Sequence, residues 1–209
     1  MENKKFVFFV NKGFRGTMWD RGGVQYTIEA FLNEFTDKDS VVLLIKINPS
    51  YGVPDMTKII NELKPKNRND FASIEVICDN IPYKELNNLY NRSDVFVSST
   101  RAEGFNLPCV ESMAVGKPVI TTNFGGQTDF VNEENGWLID YKLETVTEEV
   151  AYEEVQWAIP DVEDLRRIMR HCFENQKEVK EKGKRASLDA MNFTWRHSAK
   201  KALSFINQI

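Results

Sequence analysis

Val95-Phe-Val-Ser-Ser-Thr-Arg-Ala-Glu-Gly-Phe-Asn-Leu-Pro-Cys-Val-Glu-Ser-Met-Ala-Val-Gly-Lys-Pro-Val-Ile-Thr-Thr122 contains a complete structural unit of the chain. It opens on Val95 to Ser98, a short β-branched and aromatic run with the length and composition of a buried strand. Pro108 suits the first turn of a helix, where its missing N–H costs nothing. Gly116 followed by Lys117-Pro118 is a strong helix stop. A short helix is therefore expected from about Leu107 to Val115, with Gly104, Phe105 and Asn106 at its mouth. Lys117 to Thr121 then reads as the next strand. Strand, loop, helix and strand within so few residues point to a parallel sheet.

The same alternation extends in both directions. Phe6 to Val10, Val41 to Ile47, Ile74 to Cys78 and Trp137 to Ile139 are further short apolar runs, most without polar alternation, as in strands covered on both faces. Between them Val24, Ile28, Phe31, Leu32 and Phe35 fall on one helical face, as do Met56, Ile59, Ile60 and Leu63, and then Leu86, Leu89 and Tyr90. This predicts a doubly wound α/β fold with a six-stranded parallel sheet, in one domain over residues 1–209. Tyr141 to Ala158 is acidic and reads as a long irregular excursion over the surface. Three C-terminal helices follow. Val162, Leu165, Ile168, Met169, Cys172 and Phe173 make the stripe of the first, and Val179 to Met191 forms a mostly polar second. Trp195, Ala199, Ala202, Leu203, Ile206 and Ile209 make the stripe of the third.

Composition removes several classes of function. A net charge of −4 argues against a nucleic-acid partner, because phosphate-backbone binding needs a basic excess. The basic stretch Lys177 to Arg185 is interrupted by Glu178 and Glu181 and reads as a solvated helix face. Cys78, Cys109 and Cys172 are odd in number, without metal-ligand spacing, and are expected to be reduced thiols. The first ten residues have too short an apolar run for a signal peptide, and no run approaches a spanning helix. A cytoplasmic protein is expected, the inner face of a membrane included. His171 and His197 lack Ser, Cys or Asp partners at suggestive spacing and read as satisfied or surface histidines. Trp137, Trp157 and Trp195 read as packing residues more readily than as sugar platforms.

In open parallel sheets ligands bind beyond the carboxyl ends of the strands, so the loop Ser99 to Glu111 is the informative one. Backbone N–H groups and the positive dipole end at the mouth of its helix favour an anion such as a diphosphate. Glu111 is expected in the first helical turn, its carboxylate leaning back to the crevice. Beside a diphosphate a carboxylate is useful against neutral donors, and a ribose diol offers two hydroxyls to one bidentate acceptor. Glu103, earlier in the loop, would lie nearer a transferring sugar. On spacing alone Glu111 is equally a favourable helix-start acid and Glu103 a plain loop carboxylate.

The stretch Ser93 to Thr122 resembles the E-x7-E region of the group 1 (family 4) glycosyltransferases, with Glu103 and Glu111 as its two acids. The likeness runs through Asp20 to Phe31, Asn80 to Asp94, Gly125 to Asp129, Asn135 to Leu138 and Phe193-Thr194-Trp195. It implies the donor-binding, C-terminal Rossmann-like half of a GT-B fold, which transfers a sugar from a nucleotide diphosphate with retention and without a bound metal or other cofactor. Carried over by position, Glu103 would touch the donor sugar. Gly104, Phe105, Asn106 and Leu107 would offer backbone N–H groups to the phosphates, Glu111 would hold the ribose, and Ile81 would meet the base through its backbone. The family also places two cations near the first strand, commonly an arginine and then a lysine. Here the first position is Lys12 and the second appears as Gly22, preceded by Arg21. Lys12, Arg15 and Arg21 are therefore the available cations for a leaving diphosphate, with Arg21 in place of the missing lysine.

The resemblance further implies a nucleotide sugar and an acceptor glycan or lipid-linked sugar as partners. The acceptor-binding domain would come from a longer protein or a partner subunit, and glycan or cell-surface polysaccharide synthesis would be the setting. Alternatives are a sugar-nucleotide epimerase half, which changes the donor without an acceptor, and a non-catalytic sugar-nucleotide-binding module.

Overall fold

A computed structural model describes residues 4–17, 20–146 and 155–207. Six parallel strands form the central sheet: β1 (Phe6–Lys12), β2 (Val41–Ile47), β3 (Ser73–Ile77), β4 (Val95–Ser98), β5 (Val119–Thr122) and β6 (Gly136–Ile139). Their order is β3-β2-β1-β4-β5-β6, so the chain turns back at β1 and β4, which pair through Phe8↔Val95 and Phe9↔Phe96. That reversal is where a doubly wound sheet opens its ligand crevice. β1 and β2 pair in register from Phe6↔Val41 to Lys12↔Ile47.

The unbroken apolar strands are explained by cover on both faces. Phe6, Phe8 and Val10 pack with Ile28, Phe31 and Phe35 of α1 (Val24–Glu34), Met56 of α2 (Met56–Leu63), and Leu165, Met169 and Cys172 of α5 (Val162–Glu174). Val7 and Phe9 point the other way, into a second core with Tyr90 of α3 (Tyr83–Arg92) and Cys109, Val110 and Met113 of α4 (Leu107–Ala114). Ala186 and Ala190 of α6 (Gln176–Ala190) complete that core. Small residues let α6 approach closely: a Cβ on Gly183 would stand 2.2 Å from the Gly116 carbonyl oxygen. α6 begins three residues earlier than its polar pattern suggests. Of the basic stretch Lys177 to Arg185, Lys182 departs from the solvated role and lies 4.8 Å over the Trp137 ring.

Two expectations fail. Within Tyr141 to Ala158 the chain is ordered at both ends, not irregular: β7 (Tyr141–Thr145) and β8 (Gln156–Pro160) form an antiparallel ribbon, in register from Tyr141↔Pro160 to Thr145↔Gln156. Residues 147–154 of that stretch lie outside the described residues. Local composition gave no strand signal because a tertiary partner holds the ribbon. Arg101, 2% exposed, donates from Nε to the Ala158 carbonyl (3.2 Å) and from Nη2 to Glu144 (2.6 Å), and its guanidinium lies over Trp157.

The second failure is α7 (Trp195–Ile206), whose apolar stripe faces solvent, with Trp195 85% exposed. Packing is thus the role of Trp157 but not, within this chain, of Trp195; Ile209 lies outside the described residues. All three cysteines are free. Among the described residues, no helix is long and apolar enough to cross a membrane, and no cluster of potential metal ligands occurs.

Candidate donor site at the carboxyl ends of β1 and β4

Lys12 is the last residue of β1 and is almost wholly buried. Its ammonium donates to Glu103 Oε1 at 2.7 Å and to Asn106 Oδ1 at 2.9 Å. Asn106 precedes α4 with φ 71°, the left-handed conformation that asparagine tolerates better than other side-chain-bearing residues. Its amide donates to Ser98 Oγ at the end of β4 (2.9 Å), so it ties the helix mouth to two strand ends and does not cap its own helix. Arg21 reaches the same acid from the opposite side, with Nη1 3.7 Å from Glu103 Oε2 and 3.2 Å from the Ala102 carbonyl. Two cations thus converge on one carboxylate beside the start of α4. A third charge-bearing candidate, Arg15, is exposed in the same β1–α1 loop.

The loops that carry these groups interlock through their backbones. The Arg21 carbonyl accepts from the Arg101 N–H (2.9 Å) and from Thr100 Oγ1 (3.1 Å). Gly23, with φ 73°, lets α1 begin against this loop, since a Cβ there would lie 1.8 Å from the Ser99 carbonyl oxygen. On the other flank the Gly126 N–H donates to the Glu103 carbonyl (3.0 Å), and a Cβ on Gly126 would lie 1.8 Å from the Gly104 oxygen. Gly104 itself faces open space. Phe105 packs its ring on Phe130 and Phe193. Leu107 is exposed.

Glu111 is the fifth residue of α4, so it lies in the second turn and not the first. Its two carboxylate oxygens accept separately, Oε1 from the Tyr83 hydroxyl (2.8 Å) and Oε2 from the Tyr90 hydroxyl (2.7 Å). Tyr90 in turn accepts from the Asn11 side-chain amide (3.1 Å). Burial, reinforced by the negative charge of Glu111, pushes the Tyr90 phenol far above its ordinary value, so it remains a donor. A cavity of about 170 Å³ lies here, lined by Tyr83, Leu86, Asn87, Tyr90, Glu111, Ala114 and Val115. Ile81, half-buried, lies two residues before α3.

The two acids are therefore both anchored to the end of β1, Glu103 through Lys12 and Glu111 through Asn11 and Tyr90, on its opposite faces. Glu111 lines the cavity and Glu103 does not. Another cavity, of about 260 Å³, lies among Lys5, Ser40, Val41 and Ser73 at the amino ends of the strands, the wrong end of the sheet for a ligand crevice.

Four contributors, Asp20, Asn11, Tyr83 and Tyr90, escaped the sequence reading. Asp20, buried, accepts from the N–H groups of Gly22 (2.7 Å) and Arg15 (2.7 Å) and so shapes the loop that presents Arg21. An aspartate two residues before glycine is a recognisable turn former, and that signal was available. Asn11 and Tyr90 gave none, because their link depends on β1 and α3 meeting in space. Cys109 is no reactive thiol: burial raises its pKa to about 12.

A family model described as "Glycosyl transferases group 1" matches residues 11–152, which takes in the last two residues of β1, β2 to β7, and Asn11, Lys12, Arg21, Glu103, Asn106 and Glu111. An alpha,alpha-trehalose-phosphate synthase (UDP-forming) from Zygosaccharomyces rouxii is 28% identical over 138 residues, 59% of this chain and 28% of that protein. Among solved structures, Anabaena HepE in complex with UDP and glucose superposes with a TM-score of 0.70 at 17% identity, over 99% of this chain and 49% of that one. The C-terminal domain of the group 1 family protein LpcC from Francisella tularensis gives a TM-score of 0.65 at 17% identity, over 92% of this chain and 93% of that domain. This chain thus spans about half or less of the full-length relatives and nearly all of an isolated C-terminal domain. Its sheet order and flanking helices are those of one half of a GT-B fold, and by sequence and architecture together the chain belongs to the group 1 glycosyl transferases.

Proposed function

We propose that this chain is the donor side of a retaining glycosyltransferase, moving a sugar from a nucleotide diphosphate to an acceptor hydroxyl. The observation that carries the reading is the convergence of Lys12 and Arg21 on Glu103 at the open mouth of α4. A leaving diphosphate gains negative charge in the transition state, and cations already held in place stabilise it without reorganisation. Lys12 and Arg21 supply those cations, with the N–H groups at the helix mouth beside them. Glu103 holds the Lys12 ammonium and turns its remaining acceptor capacity to hydroxyls of the transferring sugar. Glu103 is engaged by Lys12 and no other side-chain base stands here among the described residues, so the departing diphosphate takes the acceptor proton, on the face of the sugar from which it leaves. Glu111 accepts from the ribose diol, and the backbone at Ile81 meets the base. The acceptor side belongs to a further domain or a partner subunit.

Two of the proteins named above, the UDP-forming synthase and HepE in complex with UDP and glucose, involve UDP, which makes UDP-sugars the first probes. Titration calorimetry with UDP-, GDP-, ADP- and dTDP-sugars should show binding by at least one, weakened in Glu111→Ala by about 1.5 kcal/mol or more, the scale of a hydrogen bond to a charged group. Binding of none, or a loss well below that in Glu111→Ala, refutes the reading. Fusion to an acceptor domain should then yield turnover with retained configuration; a chain that still binds donor but never turns over is a binding module.

A further inference from the structure

We infer that Tyr90 is a positioning residue that holds the Glu111 carboxylate in the one orientation a ribose diol can use. The inference rests on the ribose role proposed for Glu111.

A glutamate on a helix has three side-chain torsions, and bidentate capture of two vicinal hydroxyls needs all three settled before the ligand arrives. Tyr90 is built to settle them. Its ring is 3% exposed and packs edge-on against Phe9 of β1 (5.1 Å between centroids) and beside Phe96 of β4 (5.8 Å). The hydroxyl is therefore fixed relative to the sheet and not merely to its own helix.

The direction of its proton is also decided. The Asn11 side-chain NH2 group can only donate, so the Tyr90 oxygen is the acceptor there and its single hydrogen is left for Glu111 Oε2. A chain of donors runs from the end of β1 through Tyr90 to the acid. Tyr83 differs: its ring is 71% exposed and its hydroxyl sits on the other oxygen, Oε1, with solvent around it. One carboxylate oxygen is thus held by a buried phenol and the other by a solvent-exposed one. This leaves Glu111 anchored on its core side and open to new donors on its outer side.

The readout that separates positioning from packing is discrimination between ribose and 2′-deoxyribose, since a deoxyribonucleotide offers the acid one hydroxyl fewer. Calorimetry with UDP and 2′-deoxy-UDP is run on the wild type, Tyr90→Phe and Glu111→Ala, with thermal melts alongside. The wild type is expected to prefer UDP by about tenfold, the scale of one hydrogen bond to a charged group. Tyr90→Phe keeps the ring and should cut that preference to about twofold, with affinity for 2′-deoxy-UDP within about twofold of wild type. A full wild-type preference in Tyr90→Phe overturns the inference. If Glu111→Ala loses the preference while Tyr90→Phe keeps it, the ribose reading stands and only Tyr90 is demoted to packing. A wild type without preference, or Glu111→Ala that retains it, removes the ribose reading and this inference with it. Should Tyr90→Phe fail to fold, Asn11→Leu, which removes the donor to the Tyr90 oxygen and so loosens the hold of that hydroxyl on Glu111 Oε2, is judged by the same criterion.

Discussion

Replacing Lys12 with methionine tests the centre of the site, and the structure sets the size of the effect. The Lys12 side chain is 6% exposed and that of Glu103 18%, with 2.7 Å between them. Methionine preserves the stem but removes the ammonium. Glu103 then keeps Arg21, at 3.7 Å and half in water, and Asn106 Oδ1 loses its buried donor. Breaking a fully buried pair costs about 3–5 kcal/mol, and access of Glu103 to water reduces this. With the orphaned amide oxygen included, about 3 kcal/mol is expected. For a domain of this length that is a fall in Tm of about 6–12 °C.

A double-mutant cycle of Lys12→Met with Glu103→Gln, read by urea denaturation, isolates the pair at about 1.5–2.5 kcal/mol. Calorimetry with UDP then distinguishes function from structure, because the two single changes carry opposite signs. Lys12→Met removes a cation from the diphosphate site and weakens UDP. Glu103→Gln removes a competing anion and frees the ammonium, so UDP binds more tightly even as sugar transfer is lost. A coupling below about 0.5 kcal/mol, or UDP affinity lowered equally by both changes, refutes the reasoning.

Gly126→Ala should destabilise the chain by about 3 kcal/mol or more and weaken UDP binding together, because the new methyl falls 1.8 Å from the Gly104 oxygen and must push the loop away; an unaltered urea midpoint would refute this. Acid stability should depend on Asp39. Burial works to raise its pKa, but the hydrogen bonds from Arg170 and Thr36 outweigh it and hold the carboxyl below its ordinary value. A depressed pKa contributes stability that is complete above the unfolded value and lost as pH falls through the folded one. Asp39→Asn should therefore lower stability at neutral pH and flatten the acid limb below about pH 4, as followed by thermal melts across pH.

Much of this molecule was legible because its information is local. Unbroken apolar runs such as Val41–Ile47 are needed only where a strand is covered on both faces, and the Pro108 and Gly116 signals bound α4 by backbone chemistry alone. That Lys12, Arg21 and Glu103 lie at one crevice followed from their places at strand and loop ends, together with a family likeness, but the pairing of both cations with Glu103 appears only in the structure. What stayed hidden depended on partners distant in the chain. Arg101 looks like any loop arginine until Glu144, Ala158 and Trp157 close around it and make a ribbon of an acidic stretch. Glu111 shows only its charge in the sequence; the two tyrosines that hold it come from α3, and Asn11 from β1. Amphipathic spacing foretold the apolar stripe of α7 but not that the stripe would face water. Periodicity states which side of a helix is apolar, and only the tertiary arrangement decides what, if anything, lies against it.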